Sequence, residues 1–134
     1  MTKRIFSVAE VNELIPQLSG LMGRAMDRYG QARELERRLR EERDRIRVSG
    51  GGLIDPRDWK ARAERLDGLG IEVRAALQAI IELGGAIKDL DLGLVDFPGV
   101  IDGETVNLCW KHGEESVGFW HRLDEGFAQR RPLS

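Results

Sequence analysis

Residues Ser7 to Arg47 read SVAEVNELIPQLSGLMGRAMDRYGQARELERRLREERDRIR. Apolar or small residues recur at Val8, Val11, Ile15, Leu18, Met22, Ala25, Tyr29 and Ala32, spaced alternately three and four apart. That is one stripe along a helix. Leu35, Leu39 and Ile46 continue it among Glu, Arg and Asp. Ser7 with Glu10 three residues on forms a capping box, and Phe6 with Val11 a hydrophobic staple. The spacing predicts helix 1 over 7–47. Pro16 falls inside it, where the missing N–H predicts a kink or a local break rather than an end, because the stripe keeps its phase on both sides.

Outward from this segment, Ser49-Gly50-Gly51-Gly52 marks a Gly-rich loop over 48–55. Asp55-Pro56 reads as an N-cap followed by proline at the first helical position. A second stripe through Trp59, Ala63, Leu66, Leu69 or Gly70, Val73, Leu77 and Ile80 predicts helix 2 over 56–83. Two such helices joined by a short turn should lie antiparallel with their stripes facing. Their apolar length exceeds what two helices can cover, which points to a β-layer, a second copy of the chain, or both as cover.

After Gly85 the pattern shortens into strands separated by turns. Residues 86–90, 94–101 (interrupted by Pro98), 104–110 and 116–121 alternate as strands, with Asp102-Gly103 as a type I′ hairpin turn. Val117, Phe119 and His121 fall on one face of the last strand. The expectation is an α+β fold, a long antiparallel helical hairpin with coiled-coil character followed by a small antiparallel β-meander over 86–121. The whole of 1–134 forms one domain, and the tail 122–134 is expected to be irregular coil.

Composition narrows function mainly by exclusion. The chain is 41% hydrophobic and 33% charged, which is globular, and its 21 Lys and Arg against 23 Asp and Glu give a net charge of −2. No general attraction to nucleic acid or anionic lipid follows from that balance. Residues 33–47 hold seven arginines and five acids in alternation, the pattern of a solvated helix laced with ion pairs. A nucleic-acid partner is therefore disfavoured. No signal peptide and no membrane span is expected, and a single cysteine, Cys109, allows no internal disulfide. Together these point to the cytoplasm.

No strong motif for chemistry is present. The Gly50–Gly52 run lacks the strand and lysine of a phosphate loop, and HExxH, paired CxxC and EF-hand patterns are absent. The densest set of capable groups lies in the meander and tail. The candidate pocket residues are Asp96, Cys109, Trp110, Glu114, Trp120, His121 and Arg131, placed where the meander meets the hairpin. Cys109 and His121 with a carboxylate such as Asp96 could hold zinc, but the usual short ligand spacings are missing, so no metal and no cofactor is assigned. Cys109 as a nucleophile would need His121 in reach. The plainer readings are Cys109 as a small buried hydrophobe, His121 bonded to Asp96 or Asp124 as a support, and His112 solvent-facing in a turn. Arg130 and Arg131 could pair with Asp96, Glu114 or Glu115.

The segments Lys88-Asp89-Leu90, Gly93 to Pro98, Leu108-Cys109-Trp110, Gly113-Glu114, Trp120-His121 and Gly126-Phe127 with Arg130 to Leu133 resemble a family of small uncharacterised bacterial proteins. It is the domain-of-unknown-function 2203 family. The resemblance spans nearly the whole chain from the start of helix 1 and implies the hairpin-plus-meander boundaries, but it carries no activity or ligand. Two functions are then expected in order. The first is a protein-interaction or scaffold domain that homodimerises through its exposed helical stripe. The alternative is a small enzyme or ligand-binding domain with its pocket between meander and hairpin.

Overall fold

The computed structural model describes residues 4–48, 50 and 55–133, so of the Ser49–Gly52 run only Gly50 is within the described residues. Helix α1 spans Val8–Val48 and α2 spans Pro56–Leu83. The capping box forms as the residues require: Ser7 N–H donates to Glu10 Oε1 (2.9 Å) and Glu10 N–H to Ser7 Oγ (3.1 Å). Asp55 caps α2 by accepting from Arg57 N–H at 2.9 Å, with Pro56 next in line. Helix α1 runs through Pro16 without a break. Pro16 lies on the exposed side of the helix, while Val11, Ile15 and Leu18 around it are buried. Packing of that buried side carries the helix across the lost hydrogen bond.

The helices are antiparallel, as Arg28 reaching Glu72 and Arg62 reaching Glu42 show. Near the sheet the stripe is fully covered within one chain: Val11, Ile15, Leu18, Met22 and Ala25 on α1, with Leu69, Val73, Ala76 and Ile80 on α2. Farther out Leu39 is buried, but Tyr29, Ala32, Leu35 and Leu66 are only half-covered. There the helices are tied by polar pairs, Arg62 with Glu42 and Arg65 with Gln31, and α1 is laced along its own length as well. Arg37 binds Glu34 and Glu41, and Arg38 also binds Glu34. The two arginines draw the Glu34 carboxyl down to about 2.

Five antiparallel strands follow in simple sequential order: β1 Ala86–Asp89, β2 Leu94–Ile101, β3 Glu104–Lys111, β4 Phe119–His121 and β5 Arg131–Pro132. Asp102 (φ 51°) and Gly103 (φ 79°) make the expected type I′ turn. Two expectations are corrected. First, β2 is not interrupted at Pro98. Strand β1 has already ended there, and the Pro98 carbonyl accepts Phe6 N–H at 2.7 Å, so the ring displaces no ladder bond on that side. Second, the tail is not irregular throughout: it contains a short 3₁₀ turn, Phe127–Gln129, and β5, which pairs with β4. Strand β4 is also shorter than expected, beginning at Phe119.

One face of the sheet packs on the hairpin. Val95, Phe97, Val106, Leu108 and Trp110 join Phe6, Val11, Ile15, Leu18, Met22 and Ile80 in a single core. Asn12 pins the far edge by accepting Val117 N–H at 2.8 Å. His112 does not face solvent: it packs on Gly23 of α1 and edge-on to Trp110. At the other end of α2, Gly84 closes the helix in the left-handed region (φ 108°), and the Phe6 ring lies directly against it. A Cβ there would overlap that ring and strain the backbone as well. Gly84→Ala is therefore expected to cost at least about 1 kcal/mol, read as a lower urea midpoint with an unchanged slope. An unaltered midpoint would show that Phe6 yields without loss.

Candidate metal-ligating site on the outer sheet face

Strand pairing decides which polar residues meet. Asp96 of β2 lies opposite Cys109 of β3, and His121 of β4 lies opposite Asn107 of β3. Side chains alternate along a strand, so Asp96, Asn107, Cys109 and His121 share the face turned away from the helices. They are buried there all the same: Asp96 is 2% exposed, His121 3% and Cys109 1%. The tail forms the roof. A cavity of about 360 Å³ is lined by these four residues together with Lys88, Asp89, Leu92, Leu94, Leu123, Glu125, Gly126 and Phe127. A larger groove of about 730 Å³ shares Lys88, Asp96, Asn107 and Leu123 and reaches the end of α2 at Ile81 and Gly84.

The geometry inside the cluster is specific. His121 Nδ1 lies 2.9 Å from the carbonyl oxygen of Arg122, which can only accept, so Nδ1 carries a hydrogen. In the neutral ring Nε2 then presents its lone pair, and it does so 2.9 Å from Asp96 Oδ2. Both Asp96 oxygens are shut off from solvent, and among the described residues no hydrogen-bond donor from outside the cluster reaches them. Ligand atoms of Asp96, Cys109 and His121 all lie within 4.8 Å of one another. Burial, then the Asp96 charge, push the Cys109 thiol up to about 12, against the opposing pull of Arg130.

Arg130 is held in place from several sides. Its guanidinium lies 3.9 Å from the Phe119 ring centre and 4.5 Å from that of Phe127, and it binds both carboxylate oxygens of Glu114 at 3.3 and 3.0 Å. Glu114 in turn accepts Lys111 N–H at 2.8 Å. Arg131 stacks on Trp120 at 4.9 Å and binds Glu125 at 3.0 and 2.9 Å. Backbone donation from Arg122, more than Arg131 itself, holds the Glu125 carboxyl below its usual range.

The seven candidate pocket residues thus separate. Asp96, Cys109 and His121 converge, and His121 takes Asp96 rather than Asp124. Trp110 belongs to the core on the opposite face, its Nε1–H donating to the Glu114 carbonyl at 2.9 Å. Glu114 acts through Arg130, while Trp120 and Arg131 form a separate stack. The site lies under the tail, not between meander and hairpin: no helix residue lines the 360 Å³ cavity. Lys88, Asn107, Glu125 and Phe127 were missed as lining residues. Asn107 alone had a signal, since it alternates with Cys109 on β3. Another groove of about 540 Å³, on the helical seam between Asp27, Glu34 and Arg65, holds no nucleophile or histidine.

The fold is an α+β hairpin and meander, and its site is a buried carboxylate, thiol and imidazole. A family model described as "Uncharacterized conserved protein (DUF2203)" matches residues 4–133, and the chain belongs to that family. No curated protein and no solved structure matches it. No described helix is long and apolar enough to cross a membrane.

The thiol's raised value has a consequence with a definite sign. At pH 9 almost all Cys109 in the folded chain is protonated, whereas an ordinary thiol, at 9.0, is half ionised there. Since the thiolate is the nucleophile, iodoacetamide should label native Cys109 far more slowly than the urea-unfolded chain at pH 8, as followed by mass spectrometry. Native-state stability should also decline as pH rises from 9 toward 12, because the unfolded chain gives up this proton first. Equal labelling rates in the two states would contradict the burial.

Proposed function

We propose that this chain is a small ligand-binding or catalytic domain whose working site is the Asp96–Cys109–His121 cluster under the tail. The observation behind this reading is the Asp96 carboxylate, buried with only the His121 ring and the Cys109 thiol of its own cluster against it among the described residues. Removing a carboxylate from water costs several kcal/mol unless its oxygens are bonded. Among the described residues no hydrogen-bond donor from outside the cluster returns that cost. The opposite sheet face shows what packing alone requires, and it is apolar throughout the core. A partner that enters the cavity supplies the missing interaction.

A cluster kept for binding, rather than for folding, predicts a specific stability change. Replacing the pair by apolar residues of similar size, Asp96→Leu with His121→Phe, is expected to raise the melting temperature of the ligand-free chain by at least about 3 °C. Asp96→Asn alone should leave it level or higher. Scanning calorimetry with circular dichroism checks both. A fall of several degrees in the double variant would make the cluster a structural network and remove this reading. A reducing compartment such as the cytoplasm suits it, because Cys109 must remain a free thiol.

A second reading is a homodimeric interaction or scaffold domain. Its support is the outer half of the hairpin, where Tyr29, Ala32, Leu35 and Leu66 remain half-covered and Ile71 is exposed. The extent of cover already supplied by the chain itself places it second. Light scattering at micromolar concentration is expected to give twice 15.1 kDa on this reading, and a monomer would end it.

A further inference from the structure

We propose that Asp96, Cys109 and His121 bind one divalent first-row transition-metal ion of the zinc class, leaving one coordination position open to the cavity. The inference rests on the ligand-binding reading and names its ligand. Three strands each contribute one donor, a carboxylate oxygen from β2, a thiol sulfur from β3 and an imidazole nitrogen from β4, with all donor atoms within 4.8 Å of one another. Donors around a tetrahedral zinc ion, at about 2.0–2.3 Å from the metal, lie about 3.2–3.8 Å apart. The cluster reaches that arrangement by small side-chain adjustments on a rigid sheet.

Several independent features favour a metal over a bare proton between these groups. The Arg122 carbonyl fixes the tautomer that aims the Nε2 lone pair inward, the outer-shell arrangement that orients a metal-bound histidine. The Asp96 oxygens are buried, and among the described residues only the other two members of the cluster stand against them. Charge also balances: one carboxylate and one thiolate neutralise a dication, so the loaded site suits a buried location. Arg130, which reaches Cys109 while it binds Glu114, favours the thiolate that a metal takes.

The donor types choose the metal class. Sulfur and nitrogen are poor ligands for magnesium and calcium, which take oxygen, whereas the mixed set suits zinc, cobalt or iron. Three protein ligands with a fourth position facing a cavity is the arrangement of sites that bind or activate a small molecule, not of closed structural sites. Lys88 and Asn107 line the space into which that position opens.

The test uses the full chain, purified without an affinity tag and stripped with a chelator. Cobalt(II) is the probe. One equivalent is expected to bind, giving thiolate-to-cobalt charge transfer in the near ultraviolet and intense visible bands of tetrahedral cobalt, both abolished by one equivalent of zinc. Cys109→Ser should remove the near-ultraviolet band, and Asp96→Asn should weaken zinc binding by more than about 10-fold, with circular dichroism confirming that each variant is folded. A cobalt spectrum that is absent, or that survives Cys109→Ser unchanged, overturns the proposal. If no metal binds while Asp96→Leu/His121→Phe still raises the melting temperature, the metal falls and the ligand-binding reading stands. If no metal binds and the melting temperature drops, both fall.

Discussion

The pairing of Asp96 with Cys109 across β2 and β3 sets both faces of the sheet at once. Side chains alternate with a period of two, so this register sends Val95, Phe97, Leu108 and Trp110 toward the helices and Asp96, Asn107 and Cys109 away from them. A slip of one residue would exchange the sets. It would bury charge against the hairpin and place Trp110 under a polar roof. The core therefore enforces the geometry of the site: every apolar contact that holds the sheet to α1 and α2 also holds the three polar groups in mutual reach.

The outer face cannot close itself by hydrophobic burial, because its centre is polar. It is closed instead by the tail, and two arginines fasten the tail. Arg130 lies between the Phe119 and Phe127 rings while gripping Glu114, and Arg131 lies on Trp120 while gripping Glu125. A planar guanidinium can stack and pair simultaneously, which a lysine ammonium cannot do as well. The roof excludes water above Cys109 and Asp96, and charges there are felt more strongly as a result. The elevated Cys109 thiol is one sign of that environment.

What was legible in the sequence follows the range of the interactions concerned. The Ser7–Glu10 box, the Asp55–Pro56 start and the Asp102-Gly103 turn depend on neighbours a few residues apart and stand as read, while helix 1 runs Val8–Val48 rather than 7–47. Strand β5 depends on pairing with β4 through an intervening turn, and two residues carry no periodicity to reveal it. Grouping Trp110 with Cys109 made a different error. Adjacent residues on one strand point to opposite faces, so their closeness in sequence separates them in space. Asp96, Cys109 and His121 could be proposed as a set from their donor chemistry, but their facing required a register that no local signal supplies. His112 eluded the reading because the residue its ring packs on, Gly23, lies far away on α1.

The two ends of the molecule are stabilised by different physics, and that difference bears on where function resides. Toward the sheet, α1 and α2 bury a continuous apolar row and act as a rigid base. Away from it, cohesion passes to polar pairs between the helices such as Arg62 with Glu42 and Arg65 with Gln31, worth little where water reaches them. A site that must hold three donors to within fractions of an ångström belongs on the first kind of support. The cluster is placed accordingly, on central strands whose other side is the densest part of the core. The distal hairpin, half-covered and charge-laced, carries no such constraint.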